Sequence, residues 1–207
     1  MLIRRKFISL IATLPAASVL SDLVPRRALA SPAGDRATAF ITTAGARLVA
    51  AINGTGTLEQ RHKLLGGIID DAIDVSGVAR FCLGRFWRIA TPAQQQKYLA
   101  LFRNALVVNI ASRIGEFQGV RFTVDSTQDR DVGELVSTVI ARPNNPPVSV
   151  QWVVANAGTD PKVVDVIAEG TSLRITQRDD YASFLNQHDN NIDALLGAIR
   201  HQLDQEA

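Results

Sequence analysis

The sequence predicts an α+β fold in which helices pack on a curved, mainly antiparallel sheet of four strands. Two observations predict this class. Apolar residues recur with helical spacing through the first half of the chain and again at its end. Between these segments lie four short stretches in which apolar and polar residues alternate, as in half-buried antiparallel strands. A run of strands between runs of helices is typical of the α+β class.

Residues 1–30 resemble an export signal rather than part of the fold. Residues 4–6 are basic, a moderately apolar run follows, and residues 28–30 read Ala-Leu-Ala, an A-x-A cleavage site. The apolar run is too short and too polar to span a bilayer. The arginine pair at its start resembles a twin-arginine signal, and a general secretory signal is the alternative. We therefore expect residues 31–207 to form a single exported domain.

The charge balance of the exported domain gives no support for nucleic-acid binding. The whole chain has 22 Lys+Arg and 20 Asp+Glu, but five of the basic residues and one acidic residue lie in the signal. The remainder carries 17 basic and 19 acidic side chains, a net charge of −2, with no basic run to follow a phosphate backbone. Cys82 is the single cysteine in the sequence, so stability must come from a packed core and not from an intrachain disulfide.

The first half of the exported domain is predicted to be helical after a loose polar arm at residues 31–37. Helical spacing of apolar residues begins at Thr38, and the segment Asn53-Gly54-Thr55-Gly56 interrupts it. The predicted segments are helices over 38–52 and 58–73, short helical turns over 75–88, and a long helix over 91–116.

The long helix has the clearest start in the sequence. Thr91 can cap it, Pro92 suits its first position, and Gln94 can complete a capping box. Every fourth residue is then apolar, which predicts one buried stripe. The stripe consists of Tyr98, Phe102, Leu106, Ile110 and Ile114.

Strands and two closing helices account for the rest of the chain. The strands are predicted over 120–125, 132–142, 148–154 and 163–169, with turns at 144–147 and 158–161. Alternation in the fourth strand predicts Val164 and Val166 on one face, opposite Val163 and Asp165. The closing helices are predicted over 172–186 and 192–205. The helices are expected to cover one face of the sheet.

None of the usual catalytic or metal-binding patterns is present in the sequence. His62, His188 and His201 form no metal-binding motif, and there is neither a dinucleotide-binding glycine fingerprint nor a GxSxG elbow. Asp165 leaves two hypotheses open: a general base facing an apolar pocket, or a carboxylate bonded to a neighbouring strand or helix end. Cys82 is predicted to be a small core residue. We therefore predict no catalytic residue, no metal site and no cofactor.

Several short segments of the sequence, taken in order, resemble the MlaC family of periplasmic phospholipid carriers, also called toluene-tolerance auxiliary proteins. The segments are Phe86-Trp87, ATPAQQQKYLALF (90–102), PPVSVQWVV (146–154), VVDVIAEGTSL (163–173), TQRDDYASFL (176–185) and the late helix at 192–196. The resemblance covers about residues 40–205. A hopanoid-associated, HpnM-like branch of the same family is the alternative. Asp160-Pro161-Lys162 departs from the family, which often has an aromatic residue at this point.

The resemblance implies a fold related to the nuclear-transport-factor-2-like (NTF2-like) class with a deep apolar pocket for acyl chains. It also implies a location in the periplasm, a non-enzymatic role, and phospholipid or hopanoid as cargo. Carriers of this type shuttle lipid as part of a lipid-asymmetry system. The implied partners are an inner-membrane ABC transporter complex with an MCE-domain protein and an outer-membrane lipoprotein complex.

A lipid pocket would need apolar side chains on facing elements, and the sequence offers them on the helical side and on the sheet. The candidate lipid-binding residues are Phe81, Phe86, Trp87, Tyr98, Phe102, Leu106, Ile110, Val136, Ile140, Val150, Trp152, Val164 and Val166. The same residues could instead fill a solid core. Two other hypotheses therefore stay open: a periplasmic adaptor with a solid core, and a small NTF2-like enzyme that uses Asp165 as base on an apolar carbonyl compound.

Overall fold

The computed structural model describes residues 31–112 and 119–206, so the predicted export signal and its cleavage site lie outside the described residues. The helices are α1 (Pro32–Asn53), α2 (Leu58–Ala72), α3 (Val75–Leu83), a 3₁₀ helix (Gly84–Arg88), α4 (Pro92–Ala111), α5 (Leu173–Gln187) and α6 (Ile192–Glu206). The strands are β1 (Arg121–Arg130), β2 (Gly133–Ala141), β3 (Val148–Ala155), β4 (Lys162–Ala168) and β5 (Thr171–Ser172). This order of elements confirms the predicted α+β class.

Within the described residues the sheet has five strands in the order β1-β2-β3-β4-β5, each antiparallel to its neighbour, and not the four predicted. The additional strand is β5, whose two residues pair with the end of β4. Glu169 and Gly170 turn the chain between them with φ of 50° and 81°, as the two central residues of a tight hairpin turn require. Two residues are too few to show alternation, which is why the sequence did not reveal this strand.

Helix α1 begins at Pro32, so the loose arm predicted at residues 31–37 is wrong. Ser31 caps the helix by accepting a hydrogen bond from the backbone N–H of Gly34 at 3.0 Å, and proline suits the first position. Tertiary contacts then hold this end, because Arg36 Nε donates to the carbonyl oxygen of Ala157 at 3.0 Å. A short polar segment that resembles a loop is therefore ordered by its cap and by the sheet.

The start of α4 confirms its predicted cap. Gln94 N donates to Thr91 Oγ1 at 3.2 Å, and Thr91 N donates to Gln94 Oε1 at 2.9 Å, which together form a capping box. The structure describes α4 as far as Ala111. The predicted end of the helix near Glu116, and Ile114 of the predicted stripe, fall among residues 113–118, outside the described residues.

Among the described residues, no helix is both long enough and apolar enough to cross a membrane.

Candidate functional site

The described apolar side chains are buried in three clusters, which we name by position. The sheet core consists of Ala37, Ile41, Val136, Val154, Ala157 and Val163. The middle core consists of Ala51, Ile52, Leu65, Ile68, Ile69, Val107, Ala111 and Val120. The helical core consists of Ala79, Cys82, Leu83, Phe86, Ala90, Tyr98, Phe102, Leu185, Ile192, Leu195, Leu196, Ile199 and Leu203.

Most of the candidate lipid-binding residues are divided among these clusters. In or against the helical core lie Phe81, Phe86, Trp87, Tyr98, Phe102 and Leu106. Against the middle core lie Leu106, Ile110 and Ile140. In or against the sheet core lie Val136, Trp152 and Val166. Val150 is buried and Val164 is half-buried, outside all three clusters.

The helix that covers the sheet core is α1, not the apolar stripe of α4. Ala37 and Ile41 of α1 are fully or almost fully buried beside Val136 of β2. The first half of α4 packs among helices instead, with Tyr98 in the helical core, and only its second half reaches the middle core. Helix α1 therefore forms the helical side of the sheet core.

A β-bulge decides which side chains of β4 face this space. Val153 pairs with Asp165 and Val154 pairs with Val163, so Val164 is an extra residue between two register positions. Val163 consequently packs in the sheet core, on the side that alternation predicted for Val164. That face prediction is wrong, because regular alternation assumes an unbroken ladder.

A groove of about 380 Å³ opens between α1 and β1, where the sheet core meets the middle core. It is lined by Thr42, Ala46, Val49, Ala50, Asn53 and Phe122. Phe122 forms its floor on the edge strand and lies close to Trp152, with ring centroids 6.4 Å apart. The groove was not predicted, and the one signal for it was the run of small residues on α1.

Glycine at position 45 lets α1 approach the sheet closely at this groove. A Cβ atom on Gly45 would lie 2.6 Å from Cε1 of Phe122, which is nearer than such atoms pack. The ring of Phe122 therefore rests directly on the backbone of α1. Any larger residue at position 45 would move the ring or the helix, so the width of the groove depends on this contact.

A polar pair, the buried Thr138 and the half-buried Trp152, lies inside the sheet. Thr138 is fully buried, donates to the carbonyl oxygen of Val150 at 2.9 Å and accepts from Trp152 Nε1 at 2.9 Å. This pairing fixes the indole ring at the edge of the sheet core and satisfies the hydrogen-bond donors of both side chains.

Asp165 is held in a structural network at the start of α5. Its carboxylate accepts hydrogen bonds from Ser172 Oγ at 2.6 Å, from the backbone N–H of Val166 at 2.8 Å and from that of Arg174 at 3.3 Å. The guanidinium of Arg174 lies 3.3 Å away. A carboxylate at a helix N-terminus is favoured by the helix dipole. This geometry favours the structural hypothesis for Asp165 over the general base.

Replacing Asp165 with Asn is expected to lower the free energy of unfolding by about 2 kcal/mol, because it leaves Arg174 without its charge partner and weakens charge-assisted bonds. Chemical denaturation measures this loss. Asp125→Asn is the control, since Asp125 is exposed on β1 and should change stability by less than about 0.5 kcal/mol. Equal stabilities for the two variants would contradict the structural role of Asp165.

Burial governs the titration of two groups in the helical core, Cys82 and Tyr98. Burial raises the pKa of the Cys82 thiol to about 12, against the opposing charge of Arg174, so the thiol stays protonated at neutral pH. Burial likewise raises the pKa of the Tyr98 phenol, which donates to the carbonyl oxygen of Ala79 at 2.9 Å. Across residues 31–112 and 119–206, no three His, Cys, Asp or Glu side chains converge as a metal site would require.

Comparison with known proteins bears on these features. The family model described as MlaC protein matches residues 44–201, a range that includes both Ala46 and Phe122 of the groove. A curated relative, the toluene tolerance protein ttg2D of Pseudomonas putida, is 26% identical over 137 residues, covering 65% of this chain and 64% of the relative. The chain therefore spans slightly less than two thirds of the length of that relative.

A solved structure has the same fold. The phospholipid-binding protein from Ralstonia solanacearum, solved in complex with a phospholipid, matches with a TM-score of 0.73 and 22% sequence identity. The match covers 82% of this chain and 98% of that chain. Since the family match extends over more than half of the sequence, this chain belongs to the MlaC family.

Proposed function

We propose that this protein is a non-enzymatic periplasmic lipid carrier that holds the acyl chains of a phospholipid between α1 and the sheet. The acyl chains would enter through the groove between α1 and β1. The observation that carries the proposal is the apolar groove with its Phe122 floor, within the range matched by the MlaC family. The phospholipid in the Ralstonia solanacearum structure supports the same class of cargo.

The candidate residues take different parts in this proposal. Those in or against the sheet and middle cores would contact acyl chains, and they are Leu106, Ile110, Val136, Ile140, Trp152 and Val166. Val150 and Val164 lie on the same sheet outside the clusters and would join them. Those in or against the helical core would support the lipid site by packing and would not contact lipid. They are Phe81, Phe86, Trp87, Tyr98 and Phe102. Acyl chains gain about 0.8 kcal/mol for each methylene group removed from water, which makes an apolar site sufficient without charged anchors.

The size of the groove implies that the protein opens when it is loaded. Its volume of about 380 Å³ lies near the lower end of the roughly 300–1,000 Å³ typical of small-molecule sites. A diacyl lipid needs more room, so α1 would move away from β1 to admit it. We therefore expect release to be slow unless partner proteins open the groove. The proposed partners are an inner-membrane ABC transporter complex with an MCE-domain protein and an outer-membrane lipoprotein complex.

Native mass spectrometry of the protein purified from the periplasm tests the proposed function. The expected result is an added mass that dissociates on activation and is identified as phospholipid, with hopanoid as the alternative cargo. The same sample after denaturation and refolding should lack that mass and regain it from vesicles. A protein that carries no lipid and takes none up would contradict the proposal and leave the adaptor and enzyme hypotheses.

A further inference from the structure

A pocket of about 230 Å³ lies between the 3₁₀ helix and α5, and its 3₁₀ wall belongs to a segment of unusual charge. From Val75 to Ala111 the sequence contains no Asp or Glu, although the exported domain as a whole is slightly acidic. The basic residues of this segment are Arg80, Arg85, Arg88, Lys97 and Arg103. Positive charge is therefore concentrated on α3, the 3₁₀ helix and α4.

Two guanidinium groups reach this pocket from different elements. Arg85 comes from the 3₁₀ helix and Arg178 from α5, and both line the pocket. Arg85 lies over the ring of Phe86 at 4.8 Å from its centroid, and its Nη2 donates to Asn186 Oδ1 at 2.6 Å. Arg178 lies over the ring of Phe81 at 5.0 Å. Stacking reduces the freedom of both side chains before any ligand arrives, and the hydrogen bond to Asn186 further restricts Arg85.

Neither guanidinium is neutralised by a carboxylate in the part of the chain that the structure describes. Ion pairs there join Arg47 to Asp71, Arg103 to Asp70 and Arg174 to Asp165. Asp179 and Asp180 follow Arg178 on α5 but are exposed and form no ion pair with it. The pocket thus presents two charged donor groups without an internal counterion.

We propose that this pocket binds a phosphate group, as a free phosphate ester or as the headgroup phosphate of a lipid. Planar guanidinium groups donate paired hydrogen bonds that match phosphate oxygens, better than an ammonium group does. Asn186 adds an amide donor, since its oxygen is already used by Arg85. The volume lies below the roughly 300–1,000 Å³ typical of small-molecule sites, so the pocket would take only a group as small as a phosphate and not a whole phospholipid. The site is separate from the α1–β1 groove and does not depend on acyl-chain binding.

Gly84 keeps the floor of the pocket open. Its φ of 57° with ψ of −128° suits glycine, and a Cβ atom there would lie 3.2 Å from Arg178 Nε. A side chain at this position would strain the backbone and press on the guanidinium. Glycine therefore permits the close approach of the two elements that form the site.

Titration with inorganic phosphate and with glycerol 1-phosphate, in chloride buffers of constant ionic strength, tests the proposal. Amide NMR signals of Gly84 and Asn186 should shift and saturate. The double variant R85Q/R178Q should lose about tenfold or more in affinity, equivalent to about 1.4 kcal/mol. The matched control is R88Q, which removes a positive charge from the same 3₁₀ helix outside the pocket lining and should change affinity less than about twofold. Denaturation curves establish that each variant is folded.

Vesicles of phosphatidylglycerol separate the two sources of phosphate. If wild type and R88Q sediment with these vesicles and R85Q/R178Q does not, the ligand is a lipid headgroup phosphate. Saturable phosphate binding without vesicle binding would assign a free phosphate ester. The proposal is overturned if wild type shows neither form of binding, or if R88Q weakens binding as much as R85Q/R178Q does.

Discussion

Ala46→Trp is expected to reduce the affinity for a fluorescent phospholipid by at least about tenfold. Ala46 is exposed on α1 and lines the groove between α1 and β1, so an indole group there would occupy space proposed for an acyl chain. Excluding only two methylene groups would cost about 1.6 kcal/mol at 0.8 kcal/mol each, which exceeds the 1.4 kcal/mol of a tenfold change. Fluorescence titration of delipidated protein measures the affinity.

Ala39→Trp provides the matched control on the same helix. Ala39 is also exposed on α1 but does not line the groove, so the two variants have the same change in helix propensity and surface apolarity. We expect Ala39→Trp to bind phospholipid as wild type does. Equal binding by both variants would place the acyl chains elsewhere, and the groove proposal would then be abandoned.

Tyr98→Ala is expected to lower the free energy of unfolding by about 3–5 kcal/mol, the range for large aromatic truncations in a core. The side chain is fully buried, and its ring lies 5.8 Å from that of Phe102 and 6.0 Å from that of Tyr181. Tyr98→Phe retains these contacts and removes the bond to the Ala79 carbonyl, so about 1 kcal/mol should be lost. Denaturant unfolding of lipid-free protein separates the two contributions.

This measurement also distinguishes a packing residue from a pocket residue. If Tyr98 lined an empty lipid cavity, its truncation would enlarge that cavity at little cost to the lipid-free protein. If Tyr98→Ala lowers the free energy of unfolding by less than about 1 kcal/mol and also changes lipid affinity, Tyr98 lines the lipid pocket. The helical core predicts the opposite result: a large loss of stability and little change in affinity for lipid.

Local patterns in the sequence predicted much of the fold because their causes are local. The capping box at Thr91 and the alternation through β2 and β3 each depend on residues within one turn or one strand. The early start of α1 and the strand β5 escaped prediction. The sequence at the start of α1 resembles a polar loop, and β5 is too short to show the alternation of a strand.

The sequence by itself determined the α+β class, the approximate position of each long element and the family resemblance. Only the tertiary structure decided that α1 rather than α4 covers the sheet, that Val163 faces inward beyond a bulge, and that the groove lies between α1 and β1. The physical reason is that hydrophobic burial has no direction. Periodicity shows which face of an element avoids water, whereas the partner of that face depends on contacts between residues far apart in the chain.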